Sequence, residues 1–114
     1  MCGNAAFKAA RVDSSKVSKL DRTGLLVSCC RHGLVLGAID MTQGETFSHV
    51  HFMHRLCNEA QCYYFCYDVF CQYKKFAARV GNAFPQFKAM SEEMDGYLPR
   101  MHAKAHHFSC QVPF

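Results

Sequence analysis

Apolar residues follow two different periods along this 114-residue chain, and the changes of period mark out its elements. Gly24-Leu25-Leu26-Val27-Ser28-Cys29-Cys30 and Leu34-Val35-Leu36-Gly37-Ala38-Ile39-Asp40-Met41 are short apolar runs joined by Arg31-His32-Gly33. Two β-rich runs around a compact turn, with a glycine free to take a positive φ, predict a hairpin. After a break at Gln43-Gly44-Glu45, the residues Phe47, Val50, Met53, Cys57 and Ala60 recur at steps of three and four. That is one face of a helix, with Thr46 or Ser48 to cap its start. His49, His51 and His54 then fall on its polar, solvated side. The stretch 62–69 is apolar and aromatic on both faces, which predicts a strand buried on both sides. Phe70, Tyr73, Ala77 and Val80 step helically again, and Gly81 reads as the stop. Pro85 breaks the chain, 87–94 reads as a helix ending near Gly96, and 97–102 as a further strand entered through Pro99. The order strand, strand, helix, strand, helix, helix, strand points to a mixed α/β sheet.

Composition narrows the class. Half the residues are apolar and only 19% are charged, which argues against disorder. Thirteen Lys and Arg against nine Asp and Glu leave +4, a balance that permits a nucleic-acid partner without implying one. No apolar run reaches the roughly 18 residues that span a membrane. The residues after Met1 lack the basic and apolar stretches of a secretory signal, so the eight cysteines are expected to be reduced thiols of an intracellular protein.

Two sets of residues carry candidate chemistry. Asp68 ends the predicted interior strand and precedes a helix, the place where ligands and ions gather in open α/β sheets. The competing reading is an ordinary helix N-cap. Asp40 also ends a strand, but reads as turn chemistry with Gly44 and Glu45. The second set is Cys30-x-His32 in the hairpin turn together with His102-x3-His106-x3-Cys110, whose steps of four keep one face in helix or strand. With Cys2 these are candidate tetrahedral zinc ligands, against the alternative of buried thiols and surface imidazoles. Cys57, Cys62, Cys66 and Cys71 read as core residues. Nothing marks a thiol as an activated nucleophile, and the chain has neither a phosphate-binding glycine loop nor HExxH.

Several stretches, in order, resemble the Kyakuja-Dileera-Zisupton (KDZ) transposases. They are Cys2 with Phe7-Lys8-Ala9-Ala10, Leu20-Asp21-x-Thr23-Gly24-Leu25, Cys30-Arg31-His32-Gly33, Asp40-Met41-x-x-Gly44-Glu45, Tyr67-Asp68-Val69-x-Cys71-Gln72, and Pro99-x-Met101-His102-Ala103-x-Ala105-His106-x-x-x-Cys110-Gln111. The resemblance implies that 1–114 is the central part of a single α/β domain, a partial ribonuclease-H-like mixed sheet. Its parts would be a hairpin, a helix, a central strand, a helix and a further strand, without the first strand and the last helix. Such transposases hold two divalent ions, Mg²⁺ or Mn²⁺, with three acids and act on DNA. Of these acids only the second, at the end of the fourth strand, has a counterpart here, Asp68. One carboxylate cannot hold two ions, so the expectation is a transposase fragment that is catalytically inactive by itself. The match also favours a structural Zn²⁺ with ligands drawn from Cys2, Cys30, His32, His102, His106 and Cys110. The alternative function is a small zinc-stapled module that binds DNA or protein without catalysis. The family implies nuclear action on transposon ends, with room for an oligomer in the complete enzyme and no membrane partner. A blander expectation is a remnant of a mobile element whose open sheet edge invites aggregation.

Overall fold

A computed structural model describes residues 21–42, 44–93 and 95–103. Their order is β1 (Gly24–Cys29), β2 (Val35–Met41), α1 (Phe47–Glu59), β3 (Tyr64–Cys66), α2 (Phe70–Ala83), a 3₁₀ turn (Pro85–Phe87), α3 (Lys88–Glu93), β4 (Asp95–Tyr97) and α4 (Arg100–Ala103). The chain is therefore a small mixed α/β structure with two two-stranded sheets, β1–β2 and β3–β4. It divides into two compact units, the first ending at Leu56 and the second taking up the chain from Cys57.

In the first unit the hairpin forms as its sequence predicts. β1 and β2 are antiparallel, with Leu25 opposite Asp40 and Val27 opposite Ala38. Gly33 takes φ 82°, and the Cys30 N–H donates to the Leu34 carbonyl to close the turn. At the other end Thr23 is a clasp. Its hydroxyl accepts from the Gly44 N–H at 2.7 Å and donates to the Met41 carbonyl at 2.8 Å. Gly44, buried at φ 81°, meets a backbone requirement that side chains resist. α1 packs over the hairpin at Gly37, where an added Cβ would lie 3.2 Å from the Met53 sulfur. The outward residues Leu25, Val27, Val35 and Leu36 are exposed.

The second unit is built on the parallel pair. Tyr64 pairs with Asp95, Phe65 with Gly96 and Cys66 with Tyr97. α2 covers one face. Tyr73, fully buried, sits within about one ring's reach of Phe65, Tyr67, Phe70 and Phe76, with centroids 6.1–6.3 Å away. Burial pushes its phenol pKa up. The Phe70 ring occupies the space that a side chain on Gly96 would need. α2 and α3 also approach closely at Gly81, though less tightly: a Cβ there would fall 3.1 Å from the Lys88 Cα.

Four expectations are corrected here. The strand around Phe65 is short, and it is not interior among the described residues: it pairs only with β4, and Tyr63 and Tyr64 are 77% and 69% exposed. One covered face and one paired edge leave alternate side chains in solvent. Gly81 does not stop α2, which runs on to Ala83; its lack of a side chain serves packing, and the helix ends at Phe84 because the residue before Pro85 is driven to an extended ψ of 95°. The further strand lies earlier than expected, at Asp95–Tyr97, because only a glycine fits against Phe70. Pro99 begins α4 instead: its carbonyl accepts from the His102 and Ala103 N–H groups, and proline suits the start of a helix.

Gly96→Ala forces a methyl into the Phe70 ring, and the nearby aromatic cluster leaves it little room to shift. We expect a loss of about 2–3 kcal/mol, an overpacking penalty, measured by urea unfolding. Phe70→Leu in the same chain should recover part of it, whereas Ala38→Gly, at an exposed hairpin position, leaves no such recoverable clash.

Candidate metal and DNA site

Asp68 lies in the short link between β3 and α2. The Tyr67 N–H donates to the Tyr97 carbonyl at 3.0 Å, extending the parallel ladder one residue past Cys66. The carboxyl ends of both strands therefore point the same way, and Asp68 follows at once. The helix begins without it: Val69 holds the N-cap position at φ −115°, ψ 31°, and no side chain caps the first turn. Among the described residues the Asp68 carboxylate, which is half-buried, makes no hydrogen bond or ion pair. The N-cap reading of this residue therefore does not hold. An acid at a strand end with no structural partner is free to bind a cation.

Asp40 has a different role. It lies within β2, not in a turn, and accepts from Arg22 Nε at 2.9 Å. Both side chains are more than half exposed, so the pair is a surface ion pair of little energetic weight.

The hairpin turn brings Cys30 and His32 together, with Sγ and Nδ1 3.7 Å apart. Arg31 Nε donates to the opposite nitrogen of the imidazole at 3.2 Å. Two ligands of one tetrahedral zinc ion, with Zn–S near 2.3 Å and Zn–N near 2.05 Å, stand about 3.6 Å apart. The pair thus has the spacing of half a zinc site, although among the described residues no three His, Cys, Asp or Glu side chains group around a common point. His102 lies on α4, and Cys2, His106 and Cys110 lie outside the described residues. Cys57 and Cys71 are buried as small apolar residues, whereas Cys62 is half-buried and Cys66 exposed. What burial the Cys66 sulfur has raises its pKa, the direction opposite to an activated nucleophile.

The sequence of α1 concealed one residue. His54 is buried, not solvated, because it stands four residues after Val50 and three before Cys57, inside the buried stripe. Its ring meets that of His51 edge to face at 6.4 Å. Burial, and then the neighbouring His51, push His54 down to about 4; burial and the Arg55 charge lower His51 as well.

The profile of the KDZ: Kyakuja-Dileera-Zisupton transposase family matches residues 2–114. The chain belongs to the KDZ transposase family. No curated protein and no solved structure matches it. Within the KDZ motifs the residues now divide by role. Thr23, Gly33 and Gly44 shape the hairpin and its exits, Gln72 follows in the first turn of α2, and Asp68 is left without structural work among the described residues. Membership in a transposase family implies DNA as partner, and no described helix is long and apolar enough to cross a membrane.

Neutral burial of His54 gives this KDZ chain a pH-dependent stability. The unfolded imidazole takes up its proton near pH 6.5 and the folded one near 4, so stability is complete above 6.5 and falls as the pH drops towards 4. Each tenfold difference in proton affinity between the two states is worth about 1.4 kcal/mol, so the loss is up to about 3 kcal/mol. Chemical denaturation at a series of pH values should show it, and His54→Gln should flatten the dependence.

Proposed function

We propose that this chain is the central part of a KDZ transposase catalytic core with a ribonuclease-H-like fold, and that Asp68 is its metal-binding acid. One observation carries the reading: Asp68 stands unpartnered, among the described residues, just beyond the carboxyl end of a strand in a parallel pair. The strand pattern supports it. A three-strand antiparallel meander followed by parallel strands, with the first strand absent, leaves an antiparallel hairpin and a parallel pair. β1–β2 and β3–β4 have those senses. The absent meander strand would add to the outer edge of β1, where no strand pairs among the described residues.

Asp68 fits one ligand position of a divalent-ion site, and its oxygen chemistry suits Mg²⁺ or Mn²⁺. In phosphodiester cleavage such a pair of ions activates the attacking oxygen and stabilises the leaving one. The contribution of this chain is to hold one carboxylate on a rigid strand end, its direction set by the ladder to Tyr97 on one side and the packed start of α2 on the other. The two further acids lie outside residues 1–114 in this reading, so the chain by itself is inactive, and the action of the complete protein is nuclear.

In a nuclease assay with Mg²⁺ or Mn²⁺ and transposon-end DNA, the 114-residue chain should show only background cutting. A longer chain that restores the two missing acids should cut, and Asp68→Asn in it should return cutting to background while leaving the fold intact. Full activity of that variant removes Asp68 from the chemistry.

The spacing of Cys30 and His32 favours a second reading, a zinc-stapled binding module without catalysis, with the other ligands drawn from Cys2, His102, His106 and Cys110. Native mass spectrometry should then find one zinc per chain, and chelation should unfold it cooperatively. Cys30→Ala should abolish the bound zinc; a chain that folds identically with and without chelator excludes the module.

A further inference from the structure

The charges of α2 are segregated by sign. Its 14 residues include Lys74, Lys75 and Arg79 and no acid. At 100° per residue these three, with Ala78 and Asn82 between them, fall within about 140° of arc. All five are exposed, and the centre of their arc lies about 130° round the helix from that of the stripe of Tyr73, Ala77 and Gly81, which packs inward.

A solvated helix face ordinarily mixes signs, because opposite charges four apart help the helix and like charges harm it. Lys75 and Arg79 are four apart and of like sign, and among the described residues neither ion-pairs with a carboxylate. α3, which packs beside α2, exposes Lys88 together with Glu92 and Glu93, so the single-sign face does not extend to it.

We infer that this face of α2 is a rail for the phosphate backbone of double-stranded DNA. Charge complementarity selects the partner: a helix with three exposed cations and no acid of its own, on a chain from a family that acts on DNA. Lys74 to Arg79 spans about 7.5 Å of helix axis at 1.5 Å per residue. Laid along the duplex axis, that covers about two base-pair steps at 3.4 Å of rise each. The residues between the cations are short, so they let the backbone come close without offering long side chains to read bases. Contact of this kind positions DNA without specifying sequence. The rail starts six residues after Asp68, on the helix whose first turn follows it, so DNA held there lies along the element that leads to the acid. The inference rests on the DNA-acting reading above and names the surface that reading lacks.

The test is fluorescence anisotropy of a fluorescein-labelled duplex of mixed sequence, titrated with the 114-residue chain from about 50 to about 200 mM salt, the range over which phosphate contacts lose their hold. The triple variant Lys74→Gln/Lys75→Gln/Arg79→Gln should bind on the order of tenfold or more weakly at low salt. Its slope of log affinity against log salt should be shallower by about 2–3, at about 0.9 per phosphate contact. Arg79→Gln alone should lower the slope by about 0.9, and the charge-retaining Lys74→Arg/Lys75→Arg should match the original chain. Glutamine is a good helix former at these exposed positions, and coincident circular dichroism spectra confirm the fold. If the original chain binds DNA and the triple variant binds with the same slope, the rail is overturned and the DNA reading stands. If the original chain does not bind DNA, both fall. Preferential binding to phosphatidylserine vesicles over DNA overturns the rail in favour of a membrane surface.

Discussion

The contact between the Phe70 ring and Gly96 is the constraint on which the second unit depends. It brings the first residue of α2 against the backbone of β4, and β4 can approach only because position 96 has no side chain. β3 pairs with β4 in parallel, so the same contact fixes where β3 ends relative to where α2 begins. The Tyr73 cluster fills the space behind it with aromatic side chains at ordinary edge and tilted geometries. Asp68 lies in the short link between these two anchored elements. The position of a candidate ligand is therefore decided by an apolar contact that involves neither the carboxylate nor any charge.

The family motifs combine two demands that look alike in a sequence. Thr23 and Gly44 are distant along the chain, yet one hydroxyl joins them, accepting from one backbone and donating to another. Gly33 turns the hairpin at a positive φ and thereby sets Cys30 and His32 within reach of one another. These are structural duties. Asp68 has none among the described residues, and that contrast, not its place in a motif, is what singles it out as the candidate ligand. Asp40 shows the converse: an acid in an equally prominent motif whose charge is met by Arg22 at the surface.

Both small sheets carry apolar side chains on a face turned to solvent, Leu25, Val27 and Val35 on the hairpin and Tyr64 and Tyr97 on the parallel pair. The Tyr64 and Tyr97 rings lie 5.7 Å apart across the strands, a contact that shelters each in part. Segments with apolar residues on both sides belong in the middle of a layered α/β core. The proposed place of the chain within a larger ribonuclease-H-like domain gives those faces a function that the described residues do not supply.

Local chemistry was enough to read much of this from the chain. The hairpin with its glycine turn, the starts of α1 and α2, and the proximity of Cys30 to His32 depend on neighbours within a few residues, and period and turn chemistry report such neighbours directly. The family, too, was legible, because several motifs in order identify a chain even where each alone is weak. What only the tertiary structure decided were the contacts between distant segments. Gly81 and Gly96 look like punctuation in the sequence and are close-approach sites in the fold; Pro99, which looks like a strand entry, starts a helix. His54 looks solvated until the buried stripe of α1 is seen to include it. A glycine's missing side chain permits a turn and a tight packing equally well, and a histidine at the margin of an apolar stripe suits water and core equally well. Only the partner brought up against each by the rest of the chain chooses between them.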